Sequence, residues 1–163
     1  MEHHRSAAEL PARNVDELCS GLAARPNPKA KQDFLRLSEA KFLGSGCGRK
    51  AFLVCGCVVK LLINSKSSEV IQQKRDVYAM KMSGHKYIPQ LIAYDAKDFQ
   101  FLVMEYLEPV SKSEVPSAPK VMELCHHLRK GLHRYGCLDL ELQRTEHWGR
   151  NASGQIKAVD FGC

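Results

Sequence analysis

The first part of the sequence carries apolar residues at helical spacing. Three of them recur with the period of one helix face: Val15, Leu18 and Leu22. Asn14 directly precedes them and is a residue type that caps helix N-termini, so we predict a helix that starts there. Residues 25–28 read Arg-Pro-Asn-Pro and predict the end of that helix and a short linker. A second short helix is expected around residues 34–37. We therefore predict that residues 1–38 form a helical or flexible extension ahead of a main domain at 39–163.

The pattern then changes to one typical of β-strands. Residues 51–63 contain two apolar runs on either side of Gly56, which predicts two strands joined by a tight turn. Further extended segments are predicted from Phe42 onward, at 88–94 and 99–104 as a hairpin turning at 96–98, and at 156–161 after the turn signal Ser153-Gly154.

Two longer segments, residues 65–82 and 119–135, have helical patterns. The second places Val121, Leu124 and Leu128 on one broad apolar face. The predicted order is strands with one helix among them, more strands, and then a helix and a small hairpin. This order predicts an α+β fold.

Composition and charge narrow the class of protein. With 163 residues and 44% hydrophobic content, the chain can bury one core. No apolar run approaches the length of a membrane span, and the first ten residues lack the apolar core of a signal peptide, so we expect a cytoplasmic protein. The seven cysteines, an odd number, are predicted to be reduced thiols. The net charge of +6 is spread along the chain without a basic block, which argues against a dedicated nucleic-acid surface.

Three glycines stand at alternate positions between predicted strands: Gly44, Gly46 and Gly48. Glycine lets backbone N–H groups approach a polyphosphate without interference from a Cβ atom, so this segment is a candidate lid over phosphates. A dinucleotide-binding fingerprint would need a helix directly after the glycines, and a Walker A loop would need Gly-Lys-Ser/Thr; the sequence has neither. A flexible glycine-rich hairpin without a ligand is the alternative interpretation.

Lys60 lies within the otherwise apolar run Val-Val-Lys-Leu-Leu. A lysine in such a strand must find a counter-charge or extend its amine to solvent. Asp76 on the following predicted helix is the acid we expect to pair with it, and Glu69 is the second choice. The alternative interpretation is a lysine on an edge strand, where it discourages pairing with another chain.

Further motifs follow in order: Met104-Glu105-Tyr106-Leu107, His147-Trp148-Gly149, Gly154 and Asp160-Phe161-Gly162. Together with the glycines and Lys60, this series over roughly residues 40–162 resembles the protein kinases. More narrowly, it is similar to small phage and bacterial kinase-like proteins. The resemblance implies an N-lobe at about 39–107, with an antiparallel sheet and one helix. It also implies a partial C-lobe at about 108–163, truncated after the Asp-Phe-Gly motif.

The same resemblance implies ATP and Mg²⁺ as ligands. The glycines would cover the phosphates, and Lys60 would neutralise them while paired to the helix acid. Met104 would be the gatekeeper, and the backbone of Glu105 and Leu107 would seat adenine. Asp160 would hold the metal ion.

The catalytic loop departs from the kinase pattern, in which an Asp that acts as the catalytic base stands five residues before a metal-binding Asn. The position thirteen residues before the motif's Asp is His147, and five further back is Leu142. Leu142 cannot accept a proton, and an imidazole is a poorer magnesium ligand than an amide oxygen. Two other registers are open: Asn151 as the metal ligand with Glu146 as the base, or Asp139 as the base followed by an insertion.

The expected function is therefore an ATP- and magnesium-binding, kinase-like protein that transfers the γ-phosphate to a serine or threonine of a protein substrate. The alternative is a catalytically degenerate, pseudokinase-type regulator that acts by binding a partner protein. A basic nucleic-acid-binding protein ranks well behind both. Because a partial C-lobe would expose apolar surface, we also expect a homodimer or a host partner to cover it. If the gene belongs to a phage, the compartment would be the host cytoplasm.

Overall fold

The computed structural model describes residues 10–46, 48–63, 66–82, 85–132 and 144–161. The helices are α1 (Val15–Ala24), α2 (Pro28–Leu37), α3 (Ser67–Lys81) and α4 (Ala118–Leu132). The strands are β1 (Lys41–Gly46), β2 (Arg49–Val54), β3 (Cys57–Leu62), β4 (Leu91–Tyr94), β5 (Phe101–Glu105), β6 (Glu108–Pro109), β7 (Trp148–Arg150) and β8 (Ile156–Ala158). The fold is α+β, as predicted.

The strands form two antiparallel sheets. Five strands pair in the order β1-β2-β3-β5-β4, and α3 lies between β3 and β4 along the chain. The second sheet has the order β6-β7-β8. Strands β6 and β7 have two and three residues, too short for the alternating pattern by which a strand is found in a sequence. The predicted strand at 156–161 ends at Ala158.

The turn between β2 and β3 forms where Gly56 predicted it. Cys55 and Gly56 both have positive φ, 51° and 73°, as the two central residues of a type I′ hairpin turn require. The turn pairs Val54 with Cys57, and this register places Ala51 opposite Lys60. The local turn chemistry therefore decides which residues of β2 share a face with Lys60.

Asparagines cap both N-terminal helices. The Asn14 side chain accepts a hydrogen bond from the backbone N–H of Glu17, as predicted for α1. Asn27 caps α2 in the same way, and Pro28 occupies its first turn, where a missing N–H costs nothing. The prediction of a linker across residues 25–28 was therefore wrong in its second half. Pro26 follows the end of α1, whereas Pro28 begins α2.

Helices α1 and α2 pack on one face of the five-stranded sheet. Their buried side chains and those of the sheet form one core: Leu18, Leu22, Phe34, Leu35, Phe52, Val54, Val59, Leu61, Phe101 and Val103. Residues from Ala12 onward are thus part of the packed unit.

The other core joins the opposite face of that sheet to α3, α4 and the second sheet. It includes Val77, Leu102, Met104, Leu124, Leu128, Trp148 and Phe161, all of them almost completely buried. The described part of α4 ends at Leu132, and the predicted end at 135 lies outside the described residues. None of the described helices has the length and apolar composition needed to cross a membrane.

Candidate functional site

Lys60 lies in the middle of β3 and is 6% exposed. Its Nζ donates to Asp76 Oδ2 at 3.0 Å and to the backbone carbonyl of Val159 at 2.7 Å. The same Nζ is 3.9 Å from Asp160 Oδ1. The amine therefore joins the large sheet to α3 and to the segment that follows β8.

Asp76 lies in α3 and has no solvent exposure. Its carboxylate also accepts from Arg49 Nη1 at 2.6 Å and from the backbone N–H of Phe161 at 3.2 Å. Burial alone would raise the pKa of Asp76, but the charges and hydrogen bonds of Arg49 and Lys60 lower it to about 2. Asp76 is thus ionised at neutral pH and accepts hydrogen bonds from Arg49, Lys60 and the backbone of Phe161.

Glu69, the second choice of partner for Lys60, lies against the glycine-rich segment instead. A Cβ atom on Gly48 would be 2.0 Å from Glu69 Cδ, and Gly48 has a φ of +76°. Glycine is therefore required at this position both by backbone conformation and by the close approach of Glu69. A Cβ atom at Gly44 or Gly46 would meet no described heavy atom within 4 Å. Open space borders the β1–β2 loop at these two glycines.

Arg49 was not predicted as a site residue, although it completes the cluster. It begins β2, directly after Gly48, and its side chain is 9% exposed. Besides Asp76, its Nη1 donates to Gln73 Oε1 at 3.0 Å, and its Nη2 donates to Asp160 Oδ1 at 3.1 Å. Burial opposes its charge, but the two carboxylates outweigh this and raise the pKa of Arg49.

The hairpin register contained a signal for Arg49. Because Ala51 pairs with Lys60, and side chains two apart share a strand face, Arg49 and Lys60 lie on the same side of the sheet. A prediction that counted outward from the turn at Gly56 would have placed both cations together.

The predicted adenine-binding segment ends β5. Met104 is 1% exposed and pairs with Val58, and Leu107 is buried. The backbone N–H of Glu105 donates to the carbonyl of Gln90, and the Glu105 carboxylate accepts from the Gln90 N–H. The end of β5 is therefore held in place by its pairing with β4 and by Gln90, the residue that precedes β4.

The three residues predicted to bind magnesium each make contacts within the protein. Asp160 faces the cluster, where Arg49 binds it. Asn151 Oδ1 accepts from the backbone N–H groups of Ser153 and Gln155, so it caps the turn between β7 and β8. His147 ends a short 3-10 turn before β7. The described residues contain no group of three or more His, Cys, Asp or Glu side chains that could hold a metal ion.

Neither alternative base is placed at the cluster by a described contact. Glu146 is exposed and pairs with Arg144 Nε at 3.0 Å; its own backbone N–H and, more weakly, Arg144 lower its pKa. A carboxylate with a lowered pKa is a weak base. Asp139, the other candidate, and Leu142 lie outside the described residues, as does Gly162 of the Asp-Phe-Gly motif.

Searches of the sequence against models of protein families and against curated proteins give no significant match. The described residues bring together one charged cluster of Arg49, Lys60, Asp76 and Asp160, to which Gln73 is hydrogen-bonded.

Proposed function

We propose that this protein is a protein-kinase-like, ATP-binding protein, with the nucleotide phosphates bound beside Lys60 beneath the β1–β2 loop. One observation carries the proposal: an amine on the third strand lies 3.0 Å from an acid on the following helix and 3.9 Å from an Asp after a later strand. Kinases use a third-strand lysine, paired to a helix acid, to bind the nucleotide phosphates.

The surroundings of the cluster support the same ligand. The space that a Cβ atom would occupy at Gly44 and Gly46 holds no described heavy atom, so a ligand can approach the backbone of β1 there. The backbone after Met104 is the position at which adenine would bind by the kinase resemblance. Phosphoryl transfer to a serine or threonine of a protein substrate is the activity that the resemblance implies.

A second candidate is a pseudokinase-type regulator that binds a partner protein without catalysis. It is favoured by Asn151, whose side-chain oxygen is used in its own turn, and by Arg49, which already binds the Asp160 carboxylate. Both residues that the resemblance assigns to magnesium are therefore already engaged in contacts within the protein.

Thermal unfolding of the full chain with and without ATP tests the proposal. Wild type is expected to melt at a higher temperature with ATP, since a ligand at about 100 times its Kd stabilises by roughly 2.7 kcal/mol. Lys60→Met is expected to lose this shift. Lys50→Met is the matched control, because Lys50 is on the neighbouring strand and outside the cluster. Absence of any ATP-dependent shift in wild type would overturn the proposal.

Transfer of labelled γ-phosphate to added protein substrates separates the two candidates. Transfer that is abolished in Asp160→Ala supports the enzyme. ATP binding without transfer, under conditions where wild type is folded, supports the regulator.

A further inference from the structure

Arg49 occupies the position on Asp160 that the kinase resemblance assigns to a metal ion. Its guanidinium bridges two carboxylates, that of Asp76 through Nη1 and that of Asp160 through Nη2. An arginine is charged at every pH at which the protein is folded, and its planar fork suits carboxylates and phosphates equally. A permanent cation therefore already faces Asp160.

The charges of the cluster cancel without a metal. Arg49 and Lys60 contribute two positive charges, and Asp76 and Asp160 contribute two negative charges. Carboxylates in a protein interior need a compensating charge, and here the side chains supply it. A divalent ion would have to share the Asp160 carboxylate with Arg49, beside its positive charge, and Asn151 Oδ1 already accepts two backbone N–H groups.

The two contacts of the guanidinium differ in a way that suggests an exchange. The contact with Asp76 is 2.6 Å long, and the Asp76 side chain has no exposure. The contact with Asp160 is 3.1 Å long, and the Asp160 side chain is 27% exposed. An incoming anion can therefore replace Asp160 on Nη2, whereas Asp76 and Gln73 keep holding Nη1 in place.

We infer that Arg49 is a phosphate-binding residue: a nucleotide phosphate replaces Asp160 on Nη2, and the site binds the nucleotide without a divalent metal. The inference rests on the proposed function, because it concerns the same site. Arg49 then neutralises the phosphate charge in place of a metal ion. Asp160 competes with the phosphate for Arg49.

Calorimetric titration of the full chain with ATP, once in EDTA and once in magnesium chloride, tests the inference directly. Equal affinities are expected under the two conditions. Arg49→Gln should weaken binding in EDTA by about tenfold or more, because a hydrogen bond between two charged groups is lost. Lys50→Gln removes the same charge one residue along β2 and should leave the affinity unchanged.

Asp160→Asn gives the sharpest comparison, since Asp160 as a competitor and Asp160 as a metal ligand predict different changes in the affinity for ATP in magnesium chloride. If Asp160 competes for Arg49, the variant binds ATP as tightly as wild type or more tightly, in magnesium chloride as well as in EDTA. If Asp160 is a metal ligand, the variant binds Mg·ATP more weakly than wild type. If Arg49→Gln fails to fold, the ATP affinity of Asp160→Asn still tests the inference.

The outcomes distinguish the inference from the proposed function. Binding that requires magnesium and is weakened in Asp160→Asn overturns the inference while leaving nucleotide binding intact. Binding in neither EDTA nor magnesium overturns the proposed function, and the inference with it. Equal binding in both, lost in Arg49→Gln, supports the inference.

Discussion

Replacing Asp76 with asparagine should be among the most destabilising single changes in this chain. The substitution keeps the size of the side chain, so it creates no cavity, but it removes the negative charge between Arg49 and Lys60. In either orientation the NH2 of an asparagine amide would face a donor: Arg49 and Lys60 on one side, or the backbone N–H of Phe161 on the other. The consequence is two buried positive charges with one carboxylate, Asp160, left to balance them.

The expected magnitude follows from the contacts. Asp76 accepts charge-assisted hydrogen bonds from Arg49 at 2.6 Å and from Lys60 at 3.0 Å, each worth roughly 1.5 to 3 kcal/mol. Removal of one partner from a buried ion pair typically costs about 3 to 5 kcal/mol. We expect a loss in this second range, which is a large part of the roughly 5 to 15 kcal/mol that stabilises a domain.

Urea unfolding followed by circular dichroism measures the loss. With a slope of roughly 2 kcal/mol per molar, a change of about 4 kcal/mol moves the midpoint by about 2 M. Asp33→Asn on α2 is the control; Asp33 is exposed, and its replacement should change the free energy of unfolding by less than about 0.5 kcal/mol. A loss below about 1 kcal/mol in Asp76→Asn, as for a surface ion pair, would refute the buried cluster.

The pH dependence of stability gives an independent check. Because the folded state lowers the pKa of Asp76 to about 2, below its ordinary value near 3.8, its ionised form stabilises the fold above about pH 4. This contribution should be lost progressively as the pH falls from about 4 through 2. The slope of unfolding free energy against pH over that window should be smaller in Asp76→Asn. Equal slopes in the two proteins would show that Asp76 does not titrate differently on folding.

Three glycine substitutions test the packing around individual glycines. Gly48→Ala and Gly56→Ala both place alanine at positive φ, at a cost of roughly 1 kcal/mol, but only Gly48→Ala also collides with Glu69. The urea midpoint should therefore fall further in Gly48→Ala than in Gly56→Ala. This additional loss of stability should disappear in a Glu69→Ala background. Gly21→Ala, which in an exposed helix would stabilise by about 1 kcal/mol, should instead destabilise by roughly 1 to 3 kcal/mol, because its Cβ would lie 2.1 Å from the Phe34 ring. A higher melting temperature for Gly21→Ala would contradict this packing.

The amino-acid sequence by itself determined the local structure of this protein. Asn14 starts α1 because its side chain caps the first turn, and Gly56 closes the β2–β3 hairpin because the turn needs positive φ. Lys60 was identifiable as a candidate because an amine within an apolar strand requires a partner. These features depend on neighbours a few residues away, so the sequence pattern carries them.

Tertiary structure alone decided what the candidate site contains. Arg49 and Asp160 are 111 residues apart in the chain, and they meet because Arg49 and the segment that follows β8 both hydrogen-bond to Asp76 of α3. Asn151 is engaged in its own turn, where the backbone N–H groups of Ser153 and Gln155 donate to its side-chain oxygen. Charges distant in sequence interact only after packing has brought them together and excluded water, and the packing partners are set by the whole fold.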